Sequence, residues 1–151
     1  QKKASDLLEP DQMEALLLQL GFNDEGLDEF PKQLHTFCGQ GLRVWQYPIQ
    51  FVPYLIKLCE LKVTSYLEIG IRHGGSYVVT TEILQRFHPL QFSVGVDIIP
   101  CRSMPDYKAL NSISRFLCVN SRGEEFKSHV QALSPLTWSL LIHTMKKNNA
   151  V

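Results

Sequence analysis

The chain has 151 residues, 44% of them hydrophobic, and its 15 Lys+Arg balance 15 Asp+Glu. That length favours one domain with enough apolar side chains for a core, and the absence of a basic excess argues against a nucleic-acid partner. No apolar run approaches the roughly 20 residues that span a bilayer, so no membrane partner is expected, and the polar start at Gln1 to Ser5 lacks the apolar stretch of a secretory signal.

The first helix is expected over Asp11 to Leu20, opened by a capping-box-like Asp11-x-x-Glu14 and stopped at Gly21. Met13, Leu16, Leu17 and Leu20 share one face of it. The polar and acidic stretch Asn23 to Glu29 reads as a connection. Phe30 to Cys38 reads as a second helix opened by Pro31 and ended by Gly39 and Gly41. Within it, His35-x-x-Cys38 has metal-like spacing but no second half, so no zinc site is expected. Cys38, Cys59, Cys101 and Cys118 show no pairing pattern, and reduced thiols of a cytoplasmic protein are the expectation. Trp45 and Tyr47 flank Gln46 just before Pro48. They either pack the N-terminal helices onto the sheet or form a lid whose polar tips orient a ligand. Gln50 to Leu61 is a strong helix, with Phe51, Tyr54, Leu55, Leu58 and Cys59 on one face and Pro53 in its first turn.

The run Val63 to Ile69 reads as a buried strand that stops at Gly70. Gly74 and Gly75 follow, and Ser76 to Phe87 reads as a helix. Strand, glycine turn and helix open many nucleotide-binding α/β domains, because glycines take positive φ and admit a ligand to the backbone, and the helix start offers free N–H groups. The spacing Glu68-x-Gly70-x-x-x-Gly74-Gly75-Ser76 is not the Gly-x-Gly-x-x-Gly of a dinucleotide site, whose second glycine would fall on Arg72. A carboxylate at Glu68 would also oppose a pyrophosphate, and it suits a ligand with an amine or a positive centre. A second strand is expected over Gln91 to Ile98. Asp97 near its end is placed to accept from both hydroxyls of a ribose. A short helix from Pro105 to Ile113 leads to a third strand, Arg115 to Val119, closed by Asn120 and Ser121. Gly123 to Leu133 is a further helix with Phe126, Val130 and Leu133 inward, and Leu136 to Ile142 is a fourth strand. The alternation predicts an α/β fold, a Rossmann-like and mostly parallel sheet with helices on both faces. Its expected divisions are an N-terminal helical lid over 1–61 and a sheet domain over 62–151.

The Leu67-Glu68-Ile69-Gly70 … Gly74-Gly75-Ser76 stretch resembles motif I of the class I methyltransferases that use S-adenosylmethionine. It is most similar to the branch of sugar and small-molecule O-methyltransferases and cephalosporin-hydroxylase-like proteins. The resemblance covers Gly41 to Val151 and is best between Lys62 and Ser121. It implies S-adenosylmethionine as cofactor and a hydroxyl of a small molecule or sugar as acceptor. Glu68, Gly70, Gly74, Gly75 and Ser76 would hold the cofactor's methionine end. Asp97 would hold its ribose, and Asn120 and Ser121 its adenine or ribose. A closing N-terminal segment over the pocket fits the same picture.

Two departures accompany the resemblance. Members of this branch commonly carry an Asp-Gly-Asp-His-like run at the end of the fourth strand, where this chain has His143-Thr144-Met145-Lys146. A hard cation wants oxygen ligands, so no metal is expected. No catalytic base is assigned; His73 and His143 are each expected to be structural. About four of the family's seven strands are present, which makes the chain look incomplete at its C-terminus. A longer gene product, a second copy or partner covering the sheet edge, and a divergent form all account for that. A non-catalytic, pseudo-methyltransferase module that binds cofactor or a partner protein is the alternative function. A nucleotide-sugar or NAD enzyme is the third reading, opposed by the glycine spacing and Glu68.

Overall fold

The computed structural model of the chain describes residues 3–132 and the backbone of 141–143. Four strands, β1 (Ser65–Ile69), β2 (Phe92–Asp97), β3 (Ser114–Cys118) and β4 (Leu141–His143), form a parallel sheet in the order β3-β2-β1-β4. β1 and β2 are central and buried along nearly their whole length, as expected of parallel strands covered on both faces. Their register runs from Ser65 opposite Phe92 to Ile69 opposite Val96, so Glu68 lies beside Gly95. The order matches the first four strands of a doubly wound sheet, whose direction of winding reverses between β1 and β4; ligands bind outside the carboxyl ends of the strands at such a point. Ile69 and His143 are paired at that place.

Side chains two apart on a strand share a face. Tyr66 therefore points with Glu68 toward α2 (Pro48–Glu60) and α3 (Gly75–Phe87), where Tyr66 packs with Leu58, Tyr77 and Leu84. Leu67 points the opposite way, into a cluster with Phe92, Val94 and Val96 that Phe126 covers from α5 (Glu124–Ala132). Helices thus cover both faces. The short α4 (Met104–Leu110) joins β2 to β3. The N-terminal residues build a second core around Met13 and Leu17 of α1 (Pro10–Leu20), Phe22, Val44 and Leu55, all 0% exposed, and it runs on into Val79 and Ile83 of α3. No helix among the described residues is long and apolar enough to cross a membrane.

Several expected details are corrected. Helix α1 starts at Pro10 in the N1 position behind Glu9, so the Asp11-x-x-Glu14 capping box does not form. Residues Phe30 to Cys38 make 3-10 turns over Lys32–Phe37, not an α-helix. The Phe37 carbonyl and the Gly39 N–H are committed to Phe22, which ends the segment in a bridge instead of a helical ladder. Helix α2 opens at Pro48, which moves Pro53 out of the first turn and into the helix. Ile49, whose carbonyl loses its donor there, is 84% exposed, and Pro53 is exposed as well, so water can reach the freed carbonyl. Phe126 and Val130 are half-buried. Leu133, the first part of the expected fourth strand (136–140) and 144–151 lie outside the described residues.

Candidate functional site

The turn after β1 is built by residues in the left-handed region. Gly70 (φ +86°) and Gly74 (φ +84°) take it at no steric cost, and Arg72 takes it with a side chain (φ +50°). The Gly70 N–H donates to the Val96 carbonyl at 2.7 Å, and the Gly74 N–H to the Ile71 carbonyl at 2.7 Å. Gly74 is the N-cap of α3. Asp97, at the end of β2, sits against this turn. Its Oδ2 accepts from the Arg72 backbone N–H at 2.7 Å and its Oδ1 from the Ile99 N–H at 3.0 Å. Each carboxylate oxygen can accept a second hydrogen bond. Asp97 is thus both a turn residue and a half-committed acceptor at the carboxyl edge of the sheet.

The two adjacent glycines have a structural reason the sequence did not suggest. A Cβ on Gly75 would lie 2.2 Å from the Leu42 carbonyl oxygen, and one on Gly74 2.5 Å from Cε of Met104. The close approach that glycine permits is made here by the chain itself.

Glu68 is 3% exposed. Tyr66 donates its hydroxyl to Oε2 and Ser76 donates its hydroxyl to Oε1, both at 2.6 Å. Burial raises the carboxyl's pKa, and the two hydroxyl donors pull it back down. The Tyr66 phenol is pushed well up by its own burial and then by the Glu68 charge. Glu68 and Ser76 open on a cavity of ≈ 240 Å³ with Gln46, Gln50, Phe51, Tyr54, Tyr66 and Thr80. The Tyr54 hydroxyl is buried there with Tyr66 as its polar neighbour and no hydrogen bond of ordinary geometry, and burial, then the Glu68 charge, raises its pKa. Sequence reasoning placed Tyr54 on a packing face and passed over Tyr66, although the alternation Tyr66-x-Glu68 puts both on one side of the strand.

In the Trp45–Tyr47 segment both aromatics pack on the N-terminal core. Tyr47 donates to the Glu29 carbonyl at 2.7 Å and lies 5.1 Å from the ring of Phe30. Gln46, between them, lines the Glu68 cavity. The acidic stretch read as a connection is a clamp. Glu25 accepts from Arg72 Nε (3.1 Å) and Nη2 (2.8 Å), and its other oxygen pairs with His73 Nε2 at 2.8 Å. Asp24 pairs with Arg43. Arg72 holds the Glu25 carboxyl below its usual range, against some burial, with His73 adding to it. Arg43 does the same for Asp24. Nothing local in the sequence marks a partner 47 residues away.

Asn120 lies two positions past Cys118, the partner of Asp97 across β2 and β3, and so at the same edge. Its Oδ1 accepts from the Arg122 N–H at 2.9 Å, an Asx turn. Ser121 is half-buried beside it. His35 and Cys38 each bond a main-chain carbonyl, of Phe30 and Leu34. The structure brings Glu68 and Ser76 together in one cavity and ties Asp97 to the glycine turn; Asn120 and Ser121 stand apart on the β3 side.

The sequence model of the family described as rhamnosyl O-methyltransferase/CmcI matches residues 32–122, more than half of the chain, from the 3-10 turns through the Asx turn after β3. No curated protein matches the chain at a significant level. The matched span contains the glycine turn, Glu68, Asp97 and the strands that carry them, and the chain belongs to the rhamnosyl O-methyltransferase/CmcI family.

Proposed function

We propose that the chain binds S-adenosylmethionine along the carboxyl edge of β1 and β2 and serves methyl transfer to a hydroxyl of a small molecule or sugar. The observation that carries this is the Glu68 cavity. The buried Glu68 carboxyl, the Tyr54 hydroxyl, Gln46 and Gln50 line ≈ 240 Å³. That is below the roughly 300 Å³ at which whole drug-sized ligands are usually enclosed, so it fits one polar end of a longer ligand. An ammonium group there would donate a charge-assisted hydrogen bond to an ionised Glu68. Asp97 retains one acceptor site per oxygen for a diol. Ile98 beside it is 69% exposed and offers an apolar surface to a flat ring at the same edge. The cofactor's chemical contribution is an activated methyl on a sulfonium; the chain's residues bind and align, which can supply several kcal/mol of rate enhancement, about 7–11 at its best. Glu68, Gly70, Gly74, Gly75, Ser76 and Asp97 are the proposed binding residues, with Asn120 and Ser121 on the β3 side.

The second reading, a non-catalytic cofactor- or partner-binding module, has one observation in its favour. Both acidic residues already have internal partners, Glu68 two hydroxyls and Asp97 two backbone N–H groups. Ligand-observed NMR with S-adenosylhomocysteine and NAD, followed by methyl-transfer assays on a panel of sugars and phenols, separates the readings. We expect S-adenosylhomocysteine to bind and NAD not to. Preferential binding of NAD would contradict the cofactor assignment, and cofactor binding without transfer to any acceptor would favour the module.

A further inference from the structure

A larger cavity of ≈ 580 Å³ lies on the other flank of the α3 N-terminus, between α3, α4 and residues 41–43. Its charged lining is of one sign. Arg43, Arg72 and Arg102 line it together with His73, and no Asp or Glu does. Val78, Met104 and Leu110 supply apolar wall, and Leu110 is 87% exposed at its rim.

Two of the arginines are held there against their backbone preference. Arg43 (φ +53°) and Arg72 (φ +50°) are the two non-glycine residues at positive φ among the described residues. Such outliers persist only where surrounding contacts enforce them, and they gather at ligand sites. Asp24 pairs with Arg43 and Glu25 with Arg72, and neither acid lines the cavity. The acids fix one part of each guanidinium and leave other N–H groups uncommitted. The Arg43 Nε is buried with no hydrogen-bond partner. Arg102 is exposed and makes no hydrogen bond or ion pair among the described residues. Three guanidinium groups against two carboxylates leave a positive balance, and a guanidinium fork matches the oxygens of carboxylate and phosphate alike. The volume falls in the range of about 300–1,000 Å³ typical of small-molecule pockets. A bare inorganic anion would leave the Val78–Met104–Leu110 wall without a purpose.

We propose that this cavity is a second ligand site, for a small organic anion that carries a carboxylate or phosphate monoester on a compact apolar body. The charged head meets Arg43, Arg72 and Arg102, and the body lies against Val78, Met104 and Leu110. The Glu68 cavity, lined by α2, β1 and the inner side of α3, shares no residue with it; Gly74 and Gly75 line this cavity and are also proposed cofactor residues, so titration with S-adenosylhomocysteine is run beside the anions to tell the two sites apart.

Calorimetric titration of the full chain with phenyl phosphate, benzoate and phenol tests it. At least one of the two anions is expected to bind saturably and to weaken with added salt. Phenol, the same ring without the charge, should bind about tenfold more weakly or worse. The tighter of the two anions identifies the head group. Arg102→Ala and Leu110→Glu change exposed residues and should leave the melting temperature as it is. Each should weaken the anion by about tenfold, and neither should alter titration with S-adenosylhomocysteine. No binding of either anion up to about 10 mM by a folded chain would overturn the proposal. So would anion binding that both variants leave intact, or displacement of the anion by S-adenosylhomocysteine. Failure of S-adenosylhomocysteine itself to bind would count against the cofactor reading alone.

Discussion

Glu68 lies between the hydroxyls of Tyr66 and Ser76 with burial raising its pKa. Between the ordinary carboxyl value of 4.5 and that raised value, the folded chain binds more protons than the unfolded one. The stability this group contributes is therefore fully present below the window and is lost as pH rises through it. Glu68→Gln removes the titration and keeps an oxygen for one hydroxyl donor, while the other hydroxyl can turn to accept from the amide. At pH 8 the variant should melt at the same temperature as the parent or higher. It should bind S-adenosylhomocysteine about fivefold more weakly, because a hydrogen bond to a charged acceptor contributes about 1 kcal/mol more than one to a neutral acceptor. Thermal melts and titration check the pair of outcomes; a variant that melts lower and binds equally well would show Glu68 to be a purely structural residue. Glu68 and Asp97 were legible in the sequence because each is an acidic side chain at the end of a β-prone run. Tyr54 was not, since its approach to Glu68 depends on how α2 packs across β1. The bonds of Asp97 to Arg72 and Ile99 follow from the shape of the turn, which spacing alone does not specify.

The first three strands and the long helices were readable from periodicity to within a few residues, since their apolar positions repeat along the elements that bury them. The N-terminal segment was not, because it is held by contacts between distant pieces. Phe22 bridges in parallel to Cys38 and Val44, Glu25 reaches Arg72 and His73, and Leu42 packs its carbonyl on Gly75. The glycine pair read as an opening for a ligand also serves as the seat for this segment. Gly75→Ala tests that element. Its Cβ would meet the Leu42 oxygen at 2.2 Å and the Val44 nitrogen at 2.8 Å, both backbone atoms that cannot swing away. The expected loss of stability in urea is about 1–3 kcal/mol or more. Hydrogen exchange should localise it. The amides of Leu42 and Val44, bonded to the carbonyls of Leu20 and Gly21, should lose protection while those of β1 and β2 keep theirs. Equal loss throughout would mean that the segment and the sheet unfold as one unit.

On the scale of the whole molecule, the β3-β2-β1-β4 order places β1 at the reversal of winding, with the glycine turn at its carboxyl end and β2 beside it carrying Asp97. The N-terminal core continues into α3 through Val79 and Ile83, so the N-terminal residues are packed onto the helix that follows the glycine turn. The fold class was readable because strand and helix alternate. The strand order was not, because it depends on pairings between segments far apart in the chain. The most direct test of the account is calorimetric titration of the chain with S-adenosylhomocysteine beside Asp97→Ala, with circular dichroism to establish that both are folded. Saturable binding that the substitution weakens about tenfold or more, about 1.4 kcal/mol, is the predicted result. No binding by the folded chain, or equal affinity in the variant, would contradict a cofactor site at the ends of β1 and β2.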